Sequence, residues 1–545
     1  MTVSDPDAAG NGTHADPVGS AQLVESSAWA PLGQRVFRWL WLGVLISWIG
    51  TWMQTVGAQW LLVDEPNAAA LVALVQAAST LPMMLLALPG GVLADAFDRR
   101  GLLITVQAYL FVVAVLLAVL TAAGQMSPAL LLIFTFALGV GAAVQIPAWQ
   151  AMIPELVPRQ QLRAAARLDL VSVNLAYAVG PVLAGLVIAY LGGVPAVFVL
   201  KAAAVAVFAI TLLFTRPPPA RLGSRRERFL PALRAGGRYI WHEPVVQRIL
   251  LRTILFVVPS MALYALLPLI ANQRLGLDAD GYGALFGAFG AGAIIGAAVL
   301  GRVRDRLSNN GMLTAAGALY AAASAALVLA PGFLAALATL VLAGLAWMAA
   351  TSTLAAELQL FLPAWVRARG LAVYTVFFTG SMTAGALLWG LVAEGAGLQA
   401  TFLAAAGTCA AGVIAGLVWK VPETGHLDPQ PVIYWPAARL AFDPEGEAGP
   451  ILVTVAFTVT PEREPAFLEA MEQLRRSRRR TGASRWDLYR DGDQPQRFIE
   501  VFSVPSWEEH LSQHEGRLTA ADKAIEEAAL AFSDPPARAE HLLPP

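Results

Sequence analysis

Four residues in an otherwise apolar run could do chemistry together: Gly91, Asp95, Arg99 and Arg100, spaced four, four and one apart. A carboxylate at a helix end can pair with nearby guanidiniums or with the N-terminus of a facing helix. The pattern returns 210 residues later as Gly301, Asp305 and Arg306. Such groups suit reversible latching between helices, and no residue of the chain is assigned to catalysis. The plainer alternative is an ion pair in solvent, worth well under about 1 kcal/mol. Duplication at one offset favours the latch.

A second set is polar at helical spacing within apolar stretches. Ser47, Gly50, Thr51 and Gln54 form one stripe, and Thr375, Thr379 and Thr383 another. Gln76, Gln145 and Asn174 add amides, with Trp52, Trp149, Tyr177 and Phe378 nearby. Polar groups facing lipid are costly, so these should face an interior. Gln54, Gln76, Gln145, Trp149, Asn174, Tyr177 and Thr379 are the candidate cavity residues, with interhelical hydrogen bonding as the alternative role. Amides and aromatics with few charges suit an amphipathic organic molecule better than a sugar or phosphate. Asp95, Lys201 and Glu357 are the candidates for proton coupling, and Asp169 is a further carboxylate near a helix start. A Lys at the centre of a span costs roughly 2.5–3.5 kcal/mol on insertion scales. Lys201 either binds an anionic group, tunes a proton site or snorkels to the outer interface.

These residues need long apolar elements to position them. The 545 residues are 57% hydrophobic and 14% charged, against roughly 25% charged for a soluble domain. That composition excludes an ordinary soluble enzyme, a disordered chain and a nucleic-acid binder. Spans of about 20 residues cross the hydrocarbon core as helix. Twelve can be drawn: 37–62, 69–93, 102–123, 128–151, 166–191 and 194–215, then 249–271, 281–301, 311–330, 333–357, 370–393 and 398–419. Gly283, Gly287, Gly290, Gly292 and Gly296 line the eighth span, where small residues allow close helix packing.

The net charge of -1 conceals an uneven spread. Residues 36–420 hold 23 Lys and Arg against 13 Asp and Glu, and residues 421–545 hold 13 against 21. The basic residues of the body crowd alternate loops, including the central stretch 216–248. By the positive-inside rule this puts both termini and the central loop in the cytoplasm. Residues 1–35 are expected to be a disordered cytoplasmic head, with no signal peptide. The single Cys409 precludes an intramolecular disulfide and reads as a packed apolar side chain. No phosphate-binding Gly-rich loop ending in Lys-Ser or Lys-Thr appears, which disfavours ATP drive.

After a Pro- and Gly-rich linker at 421–449, residues 450–545 change character. Strand, helix, two strands and two helices can be read in order, suggesting a small ferredoxin-like α+β domain. His510 and His514 stand four apart on a helix and could share a metal. No third ligand is evident in sequence, so a surface pair is preferred and no metal is assigned. The Arg475–Arg480 run reads as a solvated helix end, with anionic lipid contact as the alternative.

The two halves also echo each other at Glu155-Leu156-Val157-Pro158 and Leu360-Phe361-Leu362-Pro363, and at Gly180 and Gly385. Parallel repeats around a central site are a transporter architecture. The Gly91–Arg100 loop resembles the signature loop of the major facilitator superfamily, with Ala96 where the family has Arg and Asp98 where it has Gly. Trp52-Met53-Gln54, Gly180-Pro181 and Pro363-Ala364-Trp365-Val366-Arg367-Ala368-Arg369 resemble its bacterial drug-efflux and enterobactin-exporter branch. The resemblance covers 36–420. It implies two six-helix halves, 36–215 and 249–420, with Gly91, Asp95, Arg99, Arg100, Gly301, Asp305 and Arg306 in gating. Gly180, Pro181 and Gly185 resemble part of the helix-5 antiporter motif, although Ala176, Ala184 and Arg167 replace three of its glycines.

The implied function is a plasma-membrane efflux transporter of a drug or siderophore-like small molecule, by proton antiport with alternating access. It implies no cofactor and no nucleic-acid partner. The tail resembles antibiotic-biosynthesis-monooxygenase-type domains, carried by Trp486, Glu500, Ser506-Trp507, His510 and His514, which implies dimerisation through its sheet. The competing readings are a membrane-anchored oxygenase and an importer.

Overall fold

In a computed structural model, residues 27–215, 229–304, 306–422, 432, 435, 444–446 and 448–544 are described. Asp305, part of the central loop, the head up to residue 26 and most of the linker lie outside them. The first half holds α1 (Arg35–Leu61), α2 (Ala68–Ala96), α3 (Arg99–Ala122), α4 (Pro128–Leu156), α5 (Leu162–Tyr190) and α6 (Gly193–Phe214). Next come α7 (Phe229–His242), α8 (Pro244–Leu269), α9 (Ala279–Arg304), α10 (Asn309–Leu329), α11 (Phe333–Phe361) and α12 (Ala364–Val418).

Eleven helices among the described residues are long and apolar enough to cross a membrane. Ten match one expected span each, whereas α12 covers the last two. A straight helix of its 55 residues would run about 80 Å, far beyond a hydrocarbon core of about 30 Å. Its backbone breaks at Gly397, with φ 78° and ψ 166°. That left-handed conformation is open to glycine without a Cβ penalty, and it falls between the expected spans 370–393 and 398–419.

Helix starts follow local chemistry. Ser127 and Ser308 cap α4 and α10 by accepting from Leu130 N and Gly311 N. Pro128 and Pro244 occupy first-turn positions, where a missing N–H costs nothing. The halves meet along two seams, α5 on α9 and α2 on α12. Under the repeat these seams are mates, because α2 corresponds to α9 and α5 to the first part of α12.

Close approach on the first seam depends on glycine. A Cβ at Gly283 would lie 2.6 Å from the Pro181 carbonyl oxygen, and one at Gly290 2.5 Å from Ala178 Cα. Gly292 and Gly296 instead face α11, at Val341 and Leu345. The expected glycine stripe is thus divided between two neighbours.

The central loop was expected to be polar loop throughout, but it contains α7. Tyr239 and Ile240 of α7 are buried, while Trp241 is exposed. The amphipathic face is anchored on α12, where the Tyr239 ring meets Trp365 edge-on at 5.7 Å.

The C-terminal domain is built from β1 (Ile451–Thr458), α13 (Glu464–Thr481), β2 (Arg485–Arg490), β3 (Arg497–Val504), α14 (Trp507–Ser512), α15 (Ala520–Leu530) and β4 (Arg538–Leu542). The sheet is antiparallel with order β2-β3-β1-β4, the ferredoxin-like arrangement. Ile451, Val453, Val455 and Phe457 alternate inward along β1 and pack on Phe467 and Met471 of α13. β4 was not anticipated, since it is short and carries Arg538, Glu540 and His541, features that blunt an edge strand.

Two expectations for this domain need correction. Arg475 and Arg476 of the arginine run are solvated, but Arg478 and Arg480 are not. Arg478 is buried, bonding Glu500 at 3.1 Å and Glu526 at 2.8 Å, with Trp486 Nε1 donating to the same Glu500 carboxylate. Arg480 bonds Asp522 at 2.6 Å and Glu243, just before α8, at 2.7 Å. Burial alone would raise the Asp522 carboxyl, but Arg480, Ser477 and Thr519 hold it below the usual range. Nor are His510 and His514 a surface pair, because His510 is 1% exposed.

Removing one member of a buried ion network costs about 3–5 kcal/mol, because the remaining charge stays buried. Arg478→Ala is therefore expected to destabilise the C-terminal domain by that amount. Hydrogen exchange of β1 and β3 amides in the full-length protein measures it, and unchanged protection would exclude this role.

Candidate functional site

The signature residues sit where helix ends meet at one face of the bundle. The Asp95 side chain lies outside the described residues. A side chain at Gly91 or Gly301 would meet no atom within 4 Å. Arg99 forms an ion pair with Glu155 at the end of α4. Arg100 donates to the carbonyls of Leu212, Leu213 and Thr215, at 3.0–3.1 Å, closing the end of α6. Those carbonyls have no intrahelical partner, and a cation there also suits the helix dipole. Asp98, which departs from the family pattern, caps α3 by accepting from Gly101 N at 2.7 Å.

The second half repeats this with different residues. Asn309 Nδ2 donates to Glu357 Oε1 at the end of α11, at 2.6 Å. Asn310 Nδ2 donates to the Val421 carbonyl at 2.7 Å, and Val421 N donates back to Asn310 Oδ1 at 3.0 Å. Asn309 and Asn310 stand 210 residues after Arg99 and Arg100, the offset already seen for the glycines. Arg306, the expected counterpart, is exposed in the turn after α9. The asparagines were missed because an amide at the repeat position carries no charge signal. The 210-residue offset would have found them.

Gly180, Pro181 and Gly185 stand where α1, α5 and α9 converge. A Cβ at Gly180 would lie 2.6 Å from Trp52 Cβ of α1, and one at Gly185 2.5 Å from the Ala279 carbonyl of α9.

Beside this junction both halves contribute to one aromatic cluster, about half way along the helices. Tyr177 of α5 meets Trp52 of α1 edge-on at 4.5 Å. Tyr177 also lies 6.1 Å from Tyr264 of α8, 5.7 Å from Phe286 and 5.9 Å from Phe289 of α9. Tyr264 leads on to Trp347 of α11, which reaches Phe378 of α12 at 6.1 Å. Edge-to-face rings at these spacings attract through their quadrupoles.

A polar ladder crosses the other seam. Thr80 of α2 and Thr383 of α12 place their hydroxyls 2.8 Å apart. Thr80 also bonds the Gln76 carbonyl, and Thr383 the Thr379 carbonyl. Nearer the opposite end of the bundle, Tyr282 donates to Gln59 Oε1 at 2.6 Å and stacks on Trp60.

The structure therefore brings Tyr177 into the cluster, whereas Gln76 and Thr379 meet the threonine pair only through their backbone carbonyls. Gln54 is buried on α1, with its Nε2 unbonded among the described residues. Gln145 accepts from Gln107 of α3 at 2.8 Å, and Trp149 donates to Asp169 at 2.7 Å, both within the first half. Asn174 donates to the Leu170 carbonyl of its own helix. Lys201 is buried, donating from Nζ to Thr51 Oγ1 at 2.7 Å between α6 and α1. It does not snorkel outward. Tyr264, Phe286, Phe289, Trp347 and Thr80 were not singled out in sequence. Aromatics in apolar spans look like ordinary core until two halves are folded against each other.

Residues 26–543 match the family described as "Transmembrane secretion effector". A staphyloferrin A transporter of Staphylococcus aureus is 23% identical over 47% of this chain and 65% of its own length. An enterobactin exporter of Shigella boydii is 32% identical over 39% of this chain and 50% of its own length. The chain thus spans between half and just under two thirds of these relatives. Among solved structures, a D-xylose–proton symporter superposes with a TM-score of 0.59 at 15% identity, covering 72% of this chain and 98% of that one. An inward-facing bacterial homologue of the human lysosomal transporter Spinster gives 0.55 at 15%, covering 71% and 95%. These likenesses establish the major facilitator fold.

The helix-end bonds make a graded prediction. Arg100→Ala strips three carbonyls of a charged donor and should cost about 1.5–3 kcal/mol. Asn310→Ala should act in the same direction. Glu155→Gln, at a partly exposed pair, should stay within about 1 kcal/mol. Thermal unfolding of the detergent-purified protein ranks them, and equal effects from all three would remove the capping role.

Proposed function

We propose, from the premise that this chain belongs to the transmembrane secretion effector family, that it exports an amphipathic small molecule of the siderophore or drug type in exchange for protons. Family and relatives mark it as a transporter rather than an enzyme. The observation that carries the substrate class is the aromatic cluster shared by both halves, flanked by the Thr80–Thr383 ladder. Rings offer apolar and π contact to an organic body, and hydroxyls and amides orient its polar groups. Relatives whose names specify siderophores support the same class.

Counted with the Gly397 break as a loop, the protein has twelve spans, with both termini on the cytoplasmic side as its loop arginines require. Alternating access is a rocking of the halves about the cluster. The glycine-lined α5–α9 seam and the α2–α12 ladder are the surfaces that slide. Asp95, Arg99 and Arg100, with Gly91, Gly301, Asp305 and Arg306 at the repeat, gate the cytoplasmic side. Asp95, Lys201 and Glu357 are the groups to test for proton coupling. The C-terminal domain is of the antibiotic-biosynthesis-monooxygenase type and dimerises through its sheet.

Expression in a host lacking its own exporters tests this against a panel of siderophores and amphipathic drugs. Wild type should lower the accumulation of at least one compound several-fold, and a protonophore should abolish the effect. Tyr177→Ala and Phe286→Ala should alter which compounds are exported. Asp95→Asn should lower transport while the protein still reaches the membrane. Unchanged accumulation of every compound would refute the export reading, and full activity of Asp95→Asn would refute the gating assignment.

A further inference from the structure

Three histidines converge in the C-terminal domain from separate elements. His510 lies on α14, His514 in the turn that follows it, and His541 on β4, opposite Val453 of β1. Their ring nitrogens all lie within 4.8 Å of one another. His510 Nε2 and His514 Nε2 are 3.2 Å apart. Two nitrogens bound to one tetrahedral zinc at about 2.0–2.1 Å stand roughly 3.3–3.4 Å apart, so this pair, which is also at hydrogen-bond distance, needs little movement to share one ion.

The surroundings are built for this role. His510 is buried, and its Nδ1 lies 3.1 Å from Oε1 of the fully buried Gln513. With the proton on Nδ1 donated to this oxygen, the Nε2 lone pair faces His514. Outer-shell bonds of this kind orient metal-ligating histidines. Trp435 packs on His514 at 4.7 Å and Trp507 on His510 at 5.5 Å, walling the cluster with apolar rings.

We infer that His510, His514 and His541 form a three-histidine site for a divalent transition metal of the zinc type. Three imidazole nitrogens suit zinc, nickel or copper rather than magnesium or calcium. Three protein ligands leave a fourth position for water or a small anion. Occupancy ties β4 to α14, and α14 also carries Glu509, which pairs with Arg238 of α7. The site therefore braces the part of the domain that rests on the transporter body.

The test uses the full-length protein, purified in detergent through a tag without histidines and stripped of metal. Cobalt(II) is the spectroscopic probe, and zinc(II) the competitor. One equivalent of cobalt should give the visible bands of a four-coordinate nitrogen site, and zinc should bleach them. His514→Ala and His541→Ala, at partly exposed positions, should each weaken binding by about tenfold or more. Hydrogen exchange of β1 and β3 amides shows that the domain stays folded in each variant. No saturable cobalt spectrum in wild type, or a spectrum that survives either substitution, overturns the site. The three rings would then be a hydrogen-bonded cluster.

Discussion

The bundle depends on how its helix ends are closed at the signature face. A helix leaves its last carbonyls without intrahelical partners, and within or beside a bilayer they must find donors in the protein. Each half solves this with the first two residues of its third helix. In the first half Arg100 closes α6 and Arg99 holds Glu155 of α4. In the second half Asn310 bonds both backbone groups of Val421, three residues beyond α12, and Asn309 holds Glu357 of α11. One helix start thus holds two other segments, twice. The two versions differ in charge, and the charged one lies beside the end of α2, which carries Asp95. An amide pair makes a static brace, whereas an ion pair can be exchanged for another when a competing charge approaches.

The helices and their order were legible in sequence because apolar length is an additive, local signal. Ten of the expected spans match one helix each, and the last two fall on either side of Gly397. Tyr177 and Thr383 were legible too, since both take part in contacts between the halves. What was hidden depends on long-range pairing. Phe286 joins Tyr177 only when α9 meets α5 across a seam, and Trp347 joins them only through Tyr264 of α8. Asn309 and Asn310 became visible only through their bonds. Asp98 read as a flaw in a motif, and the fold shows it doing a capping residue's work. In the tail, His541 could not be joined to His510 and His514, because nothing local in Arg538–Leu542 announces an edge strand.

The C-terminal domain does not hang freely from the transporter body. Arg238 and Glu243, at either end of one stretch around α7, pair with Glu509 and Arg480 of the domain. These pairs are largely shielded from solvent, so salt screens them less than surface pairs. α7 then works as an adapter, with its arginine toward the domain and Tyr239 against Trp365. The amphipathic character of α7 follows from these two opposite demands. The burial of Arg480 at the end of α13 follows from the same interface, since it must reach both Asp522 and Glu243.

One helix connects this docking surface to the central cluster. At its start, α12 presents Trp365 to the guanidinium of Arg517, 5.0 Å from the ring centroid, and Arg517 bonds Glu509 at 3.0 Å. A little over three turns further on, α12 presents Phe378 to Trp347, and then Thr383 to Thr80 of the opposite half. A packed helix transmits tilt along its axis, because its core contacts are close-packed and hardly compressible. Any rocking that parts Thr383 from Thr80 must therefore shift Trp365 relative to Arg517, or bend the helix between them. Gly380 stands between these two contacts, close against Met84 of α2. The C-terminal domain and the α2–α12 seam are thus contacted by one and the same helix.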